Sequence, residues 1–331
     1  MYDGGAVTEG ERSLVANRAV VLLVAALAIV LVGGPFPAAL AINPAALAQS
    51  NAAHAALVEL ERQHGELAQS ALATRFDGTS AWETGTVALP ATDAAGEVVS
   101  PDEPRVFLYV AKRTAAGWSA ALEGTPDFRL LAEQGSAVLA GTIAGDLLAT
   151  TTALGAPSSD SAALSLPWRV GKTWRLTGGP HSHTGRNAKP WSALDFAGPR
   201  SGMSVKVLAA RDGIVVRPCR NLVQIRHSDG WTTSYYHLNR IAVRAGQRVA
   251  RGQQIGYTST AAGCGGRATG PHVHFSVLRY GGYVDLDGFS IGGWRIRAAA
   301  YQYGGCMVKG TAVECASRGR IYNTGSIGTR R

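Results

Sequence analysis

Apolar and polar positions divide this 331-residue chain into stretches of different character. Arg12 and Arg18 precede residues 19–32, fourteen apolar residues without a charge, which Gly33-Gly34-Pro35 interrupts. Ala-Leu-Ala triplets end at Ala41 and Ala48. A basic flank, a short apolar run and a small-residue site predict a secretory signal over residues 1–48, cleaved near Ala41 or Ala48. A membrane anchor would need about 18–20 apolar residues, and the Gly-Gly-Pro break comes first. Next, Leu57, Leu60, Leu67 and Leu72 recur among charged positions, which predicts an amphipathic helix over residues 52–73. Residues 106–110 (VFLYV) and 137–143 read as strands, with a Leu-rich helix around residues 128–132. The expectation for this stretch is a small α+β unit. Residues 150–165 form a Ser/Ala/Thr/Gly/Pro run, which predicts a linker with a boundary near Gly155 and Ala156.

Beyond the linker the period shortens to two. Residues 204–209 and 213–217 are short Val-rich strands split by Arg211-Asp212-Gly213. Residues 222–227 and 231–238 alternate apolar and polar around Ser228-Asp229-Gly230, and residues 272–278 and 282–286 flank Tyr280-Gly281. Both pairs, like the two Val-rich strands before them, predict hairpins, three in all. Residues 243–256 space glycines around single Val and Ile residues, as tightly turning strands do. No run of helical period is present, so the expected fold is an all-β, Gly-rich antiparallel sheet domain.

Charge sharpens the division. Residues 1–155 carry 8 Lys+Arg against 16 Asp+Glu, whereas residues 156–331 carry 24 against 7, so the overall +9 averages −8 and +17. Composition excludes a disordered or collagen-like chain, at 46% hydrophobic residues and with 41 glycines in no three-residue period. All four cysteines and six of the eight histidines lie in the basic half. Export makes the cysteines readable as two disulfides, for which three pairings exist.

The candidate chemistry is also in the basic half. In Gly270-Pro271-His272-Val273-His274-Phe275, alternation puts His272 and His274 on one face of a strand and Val273 and Phe275 on the other. A pair of imidazoles on a rigid strand suits a metal. The loop Gly178-Gly179-Pro180-His181-Ser182-His183 offers His181 or His183, and Asp195 stands between Leu194 and Phe196, where a buried carboxylate is expected. Tyr235-Tyr236-His237 ends a strand with a third histidine. A catalytic zinc takes three N/O ligands and leaves one position open, which a loop His, an Asp and a strand His satisfy. The remaining histidines can then transfer protons. No His-Glu-x-x-His helix and no Gly-x-Ser-x-Gly elbow occurs.

These strings, taken in order with Leu166-Pro167-Trp168-Arg169, Ser192-Ala193-Leu194-Asp195 and Gly230-Trp231, closely resemble the lysostaphin-type zinc metalloendopeptidases, in their staphylolysin and beta-lytic branch. The resemblance spans residues 166–315. It implies a lysostaphin-like fold of the duplicated-hybrid-motif type, antiparallel sheets around a groove. Zinc would be bound by His181, Asp195 and His274, with His237 and His272 catalytic, Tyr236 assisting at the oxyanion and His183 a bystander. The disulfides would be Cys219–Cys264 and Cys306–Cys315. The implied activity is hydrolysis of peptide bonds, typically glycine-containing, in bacterial peptidoglycan cross-links by zinc-activated water. The branch is made as a precursor, so residues 49–155 are expected to be a pro-region and residues 156–331 the secreted, monomeric enzyme.

Two other readings weigh less. A catalytically inactive, wall-binding family member would have lost ligand positions, and here all five histidine and aspartate positions are filled. A biotinyl- or lipoyl-carrier barrel over residues 243–256 needs a lysine at a hairpin tip, and none lies between Lys206 and Lys309. The +17 is read as attraction to anionic wall polymers rather than to nucleic acid. The acidic half is expected to dock on the basic one until it is cleaved away.

Overall fold

The computed structural model describes residues 51–65, 71–89, 103–152, 163–183 and 187–327. The expected signal segment with its two cleavage sites, and the boundary at Gly155 and Ala156, lie outside the described residues.

The N-terminal region is built on one antiparallel sheet in the order β1 (Leu72–Gly78), β2 (Trp82–Leu89), β3 (Arg105–Thr114) and β4 (Gly117–Leu122). Alternation along β3 explains why helices cover both faces. Leu108 and Val110 pack with Phe128 and Ala132 of α2 (Pro126–Val138) and with Ala144 and Leu148 of α3 (Ile143–Thr152). Tyr109 and Ala111 point the other way, onto Ala52, Ala56 and Leu60 of α1 (Asn51–His64). Thr125 caps α2, its hydroxyl accepting from the Phe128 N–H at 3.2 Å, and Pro126 occupies the first turn.

Two expectations are corrected here. The helix expected over residues 52–73 stops at His64, because Gly65 adopts φ 61, the left-handed conformation that ends helices; Leu72 begins β1 instead. Residues 137–143, expected as a strand, are the end of α2, a turn and the start of α3. There the Thr142 hydroxyl accepts from the Gly145 N–H, starting a new helix where a strand would have continued.

The basic half is all-β. Its strands are β5 (Thr173–His181), β6 (Ala193–Ala197), β7 (Lys206–Leu208), β8 (Gly213–Val216), β9 (Val223–Arg226), β10 (Trp231–Tyr236), β11 (Leu238–Asn239), β12 (Arg248–Val249), β13 (Gln254–Thr258), β14 (His272–Arg279) and β15 (Gly282–Tyr283). Five more follow: β16 (Ser290–Ile291), β17 (Trp294–Arg297), β18 (Cys306–Lys309), β19 (Ala312–Cys315) and β20 (Arg320–Tyr322). The main sheet runs β12-β8-β9-β10-β14-β6-β5-β20, with β15 added to β14. Strands β11, β13 and β7 form a second sheet, and β16–β19 a third. Of the three expected hairpins two form, as β9–β10 and β14–β15. The turn at residues 211–213 instead sends β7 and β8 into different sheets.

One face of the main sheet is apolar. Val223, Ile225, Tyr235, Phe275, Val273, Leu194 and Phe196 enter a core that draws only on residues of this half, while the N-terminal region has its own clusters. The opposite face is polar: Gln224, Arg226, Thr232, Ser234, His274 and Ser276 are buried all the same. The N-terminal region covers them. Ala88 and Val106 pack on Leu222, Tyr236 and Cys264, and Leu147 packs on Ile214 and Val216. Glu123 forms a buried ion pair with Arg226, and Asp146 an exposed one with Arg248. The four cysteines are joined as Cys219–Cys264 and Cys306–Cys315.

Buried His227 gives this fold a pH signature. Burial holds its imidazole down at about 4, against the opposing pull of Nδ1–H donation to the Asp212 carbonyl at 2.7 Å. An unfolded chain takes up that proton near pH 6.5. Stability from neutral His227 is therefore complete above about pH 6.5 and is lost as pH falls toward 4, on the order of 3 kcal/mol. Denaturant unfolding of His227→Gln should show a shallower loss between pH 6.5 and 4.5 than the parent chain; an unchanged slope would refute this assignment.

Candidate functional site

The site is set by register. Across β14 and β6, His274 lies opposite Asp195, and across β14 and β10 it lies opposite Tyr236. Alternation then aims His272, His274 and Asp195 off the polar face together. The fourth element is β5, whose pairing with β6 slips between Gly178 and His181. A Cβ at Gly178 would stand 2.5 Å from Asp195 Oδ2, and one at Gly179 would stand 2.0 Å from the Gly304 carbonyl oxygen. The Gly-Gly pair is thus the only way for β5 to pass between the carboxylate and the 298–305 loop. His181 emerges from that passage fully buried and stacked on Tyr303, ring centroids 4.1 Å apart.

Three acceptor atoms converge here. His181 Nε2 lies 3.2 Å from His274 Nδ1 and 3.7 Å from Asp195 Oδ1, and His274 Nδ1 lies 3.3 Å from the same oxygen. Hydrogen bonds on the far sides assign the tautomers. His181 Nδ1 must donate to the Gly179 carbonyl (2.7 Å), which leaves a lone pair on Nε2. His274 Nε2 faces Ser276 Oγ at 3.2 Å and Glu103 Oε2 at 3.6 Å, which leaves its lone pair on Nδ1. Burial alone would raise the Asp195 carboxyl, but positive charge placed beside it, as on protonated His181, His272 and His274, outweighs burial and holds Asp195 far below the usual carboxylate range.

Two lone pairs and a carboxylate oxygen with no hydrogen-bond partner call for a cation at their centre. Ligands 2.0–2.1 Å from a tetrahedral zinc stand about 3.4 Å from one another. The three separations match that edge, so these residues fit zinc. Among the described residues, these two histidines and one aspartate form a group able to hold a metal ion. The Gly179, Ser276 and Glu103 partners supply the outer contacts that orient metal-binding imidazoles.

The other two histidines flank this cluster, their rings 4.8 Å apart. His272 Nε2 is 3.5 Å from Asp195 Oδ1, and its Nδ1 donates to the Gly270 carbonyl at 2.8 Å. His237 Nδ1 donates to the Ala261 carbonyl at 3.0 Å. Each ring thus has its Nδ1 committed to a backbone carbonyl. Burial, with His272 and His274 nearby, pushes His237 down to about 3 and keeps it neutral. His237 holds φ 59, rare for a side chain of this size, and its carbonyl is clamped by the Ser259 N–H (2.9 Å) and hydroxyl (2.7 Å).

Two further residues lie outside the acceptor cluster. The Tyr236 hydroxyl, expected beside an oxyanion, donates to the Gly265 carbonyl (2.6 Å) and accepts from the Cys264 N–H (3.1 Å). His183, expected as a bystander, stacks on Tyr283 at 3.6 Å and is held down at about 3 by burial. Sequence reasoning missed Tyr303, Tyr283 and Glu103. Tyr303 and Tyr283 carry no motif, and Glu103 comes from the other half of the chain.

With fold and site in view, the chain belongs to peptidase family M23: the model for that family matches residues 189–286, and a relative covered almost throughout confirms the membership. That relative is the beta-lytic metalloendopeptidase of Lysobacter enzymogenes, 33% identical over 152 residues, 44% of this chain and 85% of the relative. Protease LasA of Pseudomonas aeruginosa is 40% identical over 163 residues, 47% of this chain; the match spans only 38% of LasA itself. The peptidoglycan DD-endopeptidase ShyA of Vibrio cholerae is 36% identical over 119 residues, 34% of this chain and 25% of ShyA. Among solved structures, the M23 metalloprotease pseudoalterin is 32% identical with a TM-score of 0.46, covering 48% of this chain and 98% of that one.

Gly178→Ala tests whether the passage is needed. The added methyl should swing the Asp195 carboxylate away, dropping zinc content well below the parent's while the far-UV spectrum stays unchanged. Parent-like zinc content would show that the close approach is dispensable.

Proposed function

We propose that the chain is a secreted zinc metalloendopeptidase, made as a zymogen, that hydrolyses peptide bonds of bacterial peptidoglycan cross-links, with glycine-containing bonds as preferred sites. The observation that carries this reading is the convergence of His181 Nε2, His274 Nδ1 and Asp195 Oδ1 at zinc-ligand spacing, with two further imidazoles beside them. Its M23 relatives include an enzyme named as a peptidoglycan endopeptidase. His181, Asp195 and His274 would hold the metal. Zinc bound there supplies a Lewis acid for the scissile carbonyl and lowers the pKa of a water.

The protein's own residues do the rest. His272 projects from a strand, and its Nε2 lies close enough to the cluster to take a proton from the attacking water. His237 offers a second Nε2 across the site. Once protonated, either ring can donate to the developing oxyanion or to the leaving amine. Tyr236 holds the 261–265 loop that receives His237.

The N-terminal region, residues 49–155, acts as the pro-region. Its charge opposes that of the enzyme half, and it packs over the polar face along which a substrate would lie. Residues 153–162 lie between the two halves, where a protease would separate them. Freed of it, the basic enzyme would be drawn to anionic wall polymers.

Asp195→Ala and His274→Ala should lose bound zinc, while His237→Ala should keep about one zinc and lose hydrolysis of purified peptidoglycan, followed by mass spectrometry of the released fragments. Intact peptidoglycan after incubation with zinc-loaded residues 156–331 would overturn the enzymatic reading. The isolated pro-region should inhibit those residues, and more weakly as salt is raised from low to high ionic strength. Inhibition indifferent to salt would overturn electrostatic docking.

A further inference from the structure

Among the described residues, Glu103 is the one carboxylate that the N-terminal region sends to the rear of the His-Asp-His cluster, and its surroundings are unusual for a docking contact. The residue is 1% exposed. Its N–H donates to the His183 carbonyl at 3.3 Å, which fixes the backbone at the edge of the polar face. Its Oε2 accepts from Ser234 Oγ at 3.2 Å and lies 3.6 Å from His274 Nε2; Ser276 Oγ lies 3.2 Å from that same nitrogen, and the Tyr283 hydroxyl, buried without a hydrogen-bond partner, stands near the carboxylate. Gln224 Nε2 backs Ser234 Oγ at 3.5 Å. All four groups around the carboxylate belong to the basic half, and the main sheet carries them all: Ser234 on β10, His274 and Ser276 on β14, and Tyr283 on β15.

When the N-terminal region leaves, these donors remain, held by the pairing of β10 with β14. Ser234 lies directly opposite Ser276, so their spacing does not depend on Glu103. Desolvated donors that converge on one point favour an anion of the same shape. The imidazole of His274 spans the interval between this point and the metal cluster, which puts a bound carboxylate roughly 8 Å from the metal, about two residues of extended chain.

We propose that Ser234, Ser276, Tyr283 and His274 Nε2–H form a carboxylate-binding subsite of the substrate groove, and that Glu103 occupies it in the full chain as a stand-in for a free carboxylate of the substrate. The preferred substrate is then an acidic peptide with a carboxylate about two residues from the bond that is cut. This rests on the reading of the site as a peptidase. It gives Glu103 a double meaning: the contact that blocks the groove also records what the groove recognises. It also gives His274 two working sides, with Nδ1 on the metal and Nε2 on the subsite.

The test uses residues 156–331, whose core is independent of the N-terminal region, and two peptides that differ only in a carboxylate or a carboxamide two residues from the cleaved bond. The carboxylate peptide should have a KM at least 10-fold lower. In Tyr283→Phe, which keeps the ring stacked on His183, and in Ser234→Ala, that ratio should fall toward one. No discrimination by the parent enzyme, or variants that weaken both peptides equally, would overturn the subsite. Calorimetry with a peptide of residues 103–107 reads binding without turnover, and replacing its glutamate by glutamine should weaken it at least 10-fold. If neither test peptide is cut, the peptidase reading fails and calorimetry still decides the subsite: equal affinity of the two forms would remove it.

Discussion

The pairing of His274 with Asp195 across two neighbouring strands is the constraint on which the rest of the molecule depends. Side chains alternate along a strand, so a one-residue slip of β6 against β14 would send Asp195 into the apolar core and Leu194 and Phe196 onto the polar face. The core side prevents this. Leu194, Phe196, Val273 and Phe275 are each completely buried, and exchanging them for polar groups would cost several kcal/mol. Hydrophobic packing on one face thereby fixes the chemistry on the other. The same logic runs into β10, where Tyr235 enters the core and Ser234 and Tyr236 face the site.

A polar sheet face is stable in water and costly when covered without partners. The N-terminal region covers it and brings partners with it: Glu103 to Ser234, Glu123 to Arg226. Of the two charge-bearing contacts at Arg226 and Arg248, the first is nearly inaccessible and the second lies open to solvent. Salt screens the second far more than the first. The charge contrast between the halves therefore works mainly on long-range approach, and the buried pair works on register once they have met. An ion pair taken out of water gains little net stability, but removing one partner leaves an uncompensated charge, so it penalises misplacement strongly.

Much of this was legible in the residues. Period-two alternation after the linker marked the β9–β10 and β14–β15 hairpins, because each has one apolar face and a Gly-containing turn. His-x-His on a strand marked a shared face directly. What stayed hidden was long-range. Nothing local in Gly178-Gly179 tells that Asp195 and Gly304 press on both sides of it. Tyr303 reaches His181 from a loop more than 120 positions downstream, and Glu103 reaches His274 from the other half of the chain. Leucine periodicity runs on to Leu72, whereas the helix ends at His64 ahead of Gly65 with its positive φ.

The two flanking histidines are mounted by opposite means, and this bears on how the site is built. His272 sits in regular strand geometry, its position set by the β14–β6 ladder. His237 lies one residue past β10 in the left-handed region, which costs on the order of 1–3 kcal/mol unless the surroundings enforce it. They do so from both sides. Asn221 accepts the Leu238 N–H through its carbonyl (3.0 Å) and donates from Nδ2 to the Leu238 carbonyl (2.6 Å). Ser259 and Ala261 hold the carbonyl and the ring of His237. The Cys219–Cys264 bond ties these two clamps together, since Asn221 and Ala261 lie close to its two ends in sequence. A strand alone would have carried the chain at position 237 straight on along the sheet. The turn, closed by a disulfide, brings the imidazole back beside the acceptor cluster, so the covalent link sets the position of His237 as well as adding stability.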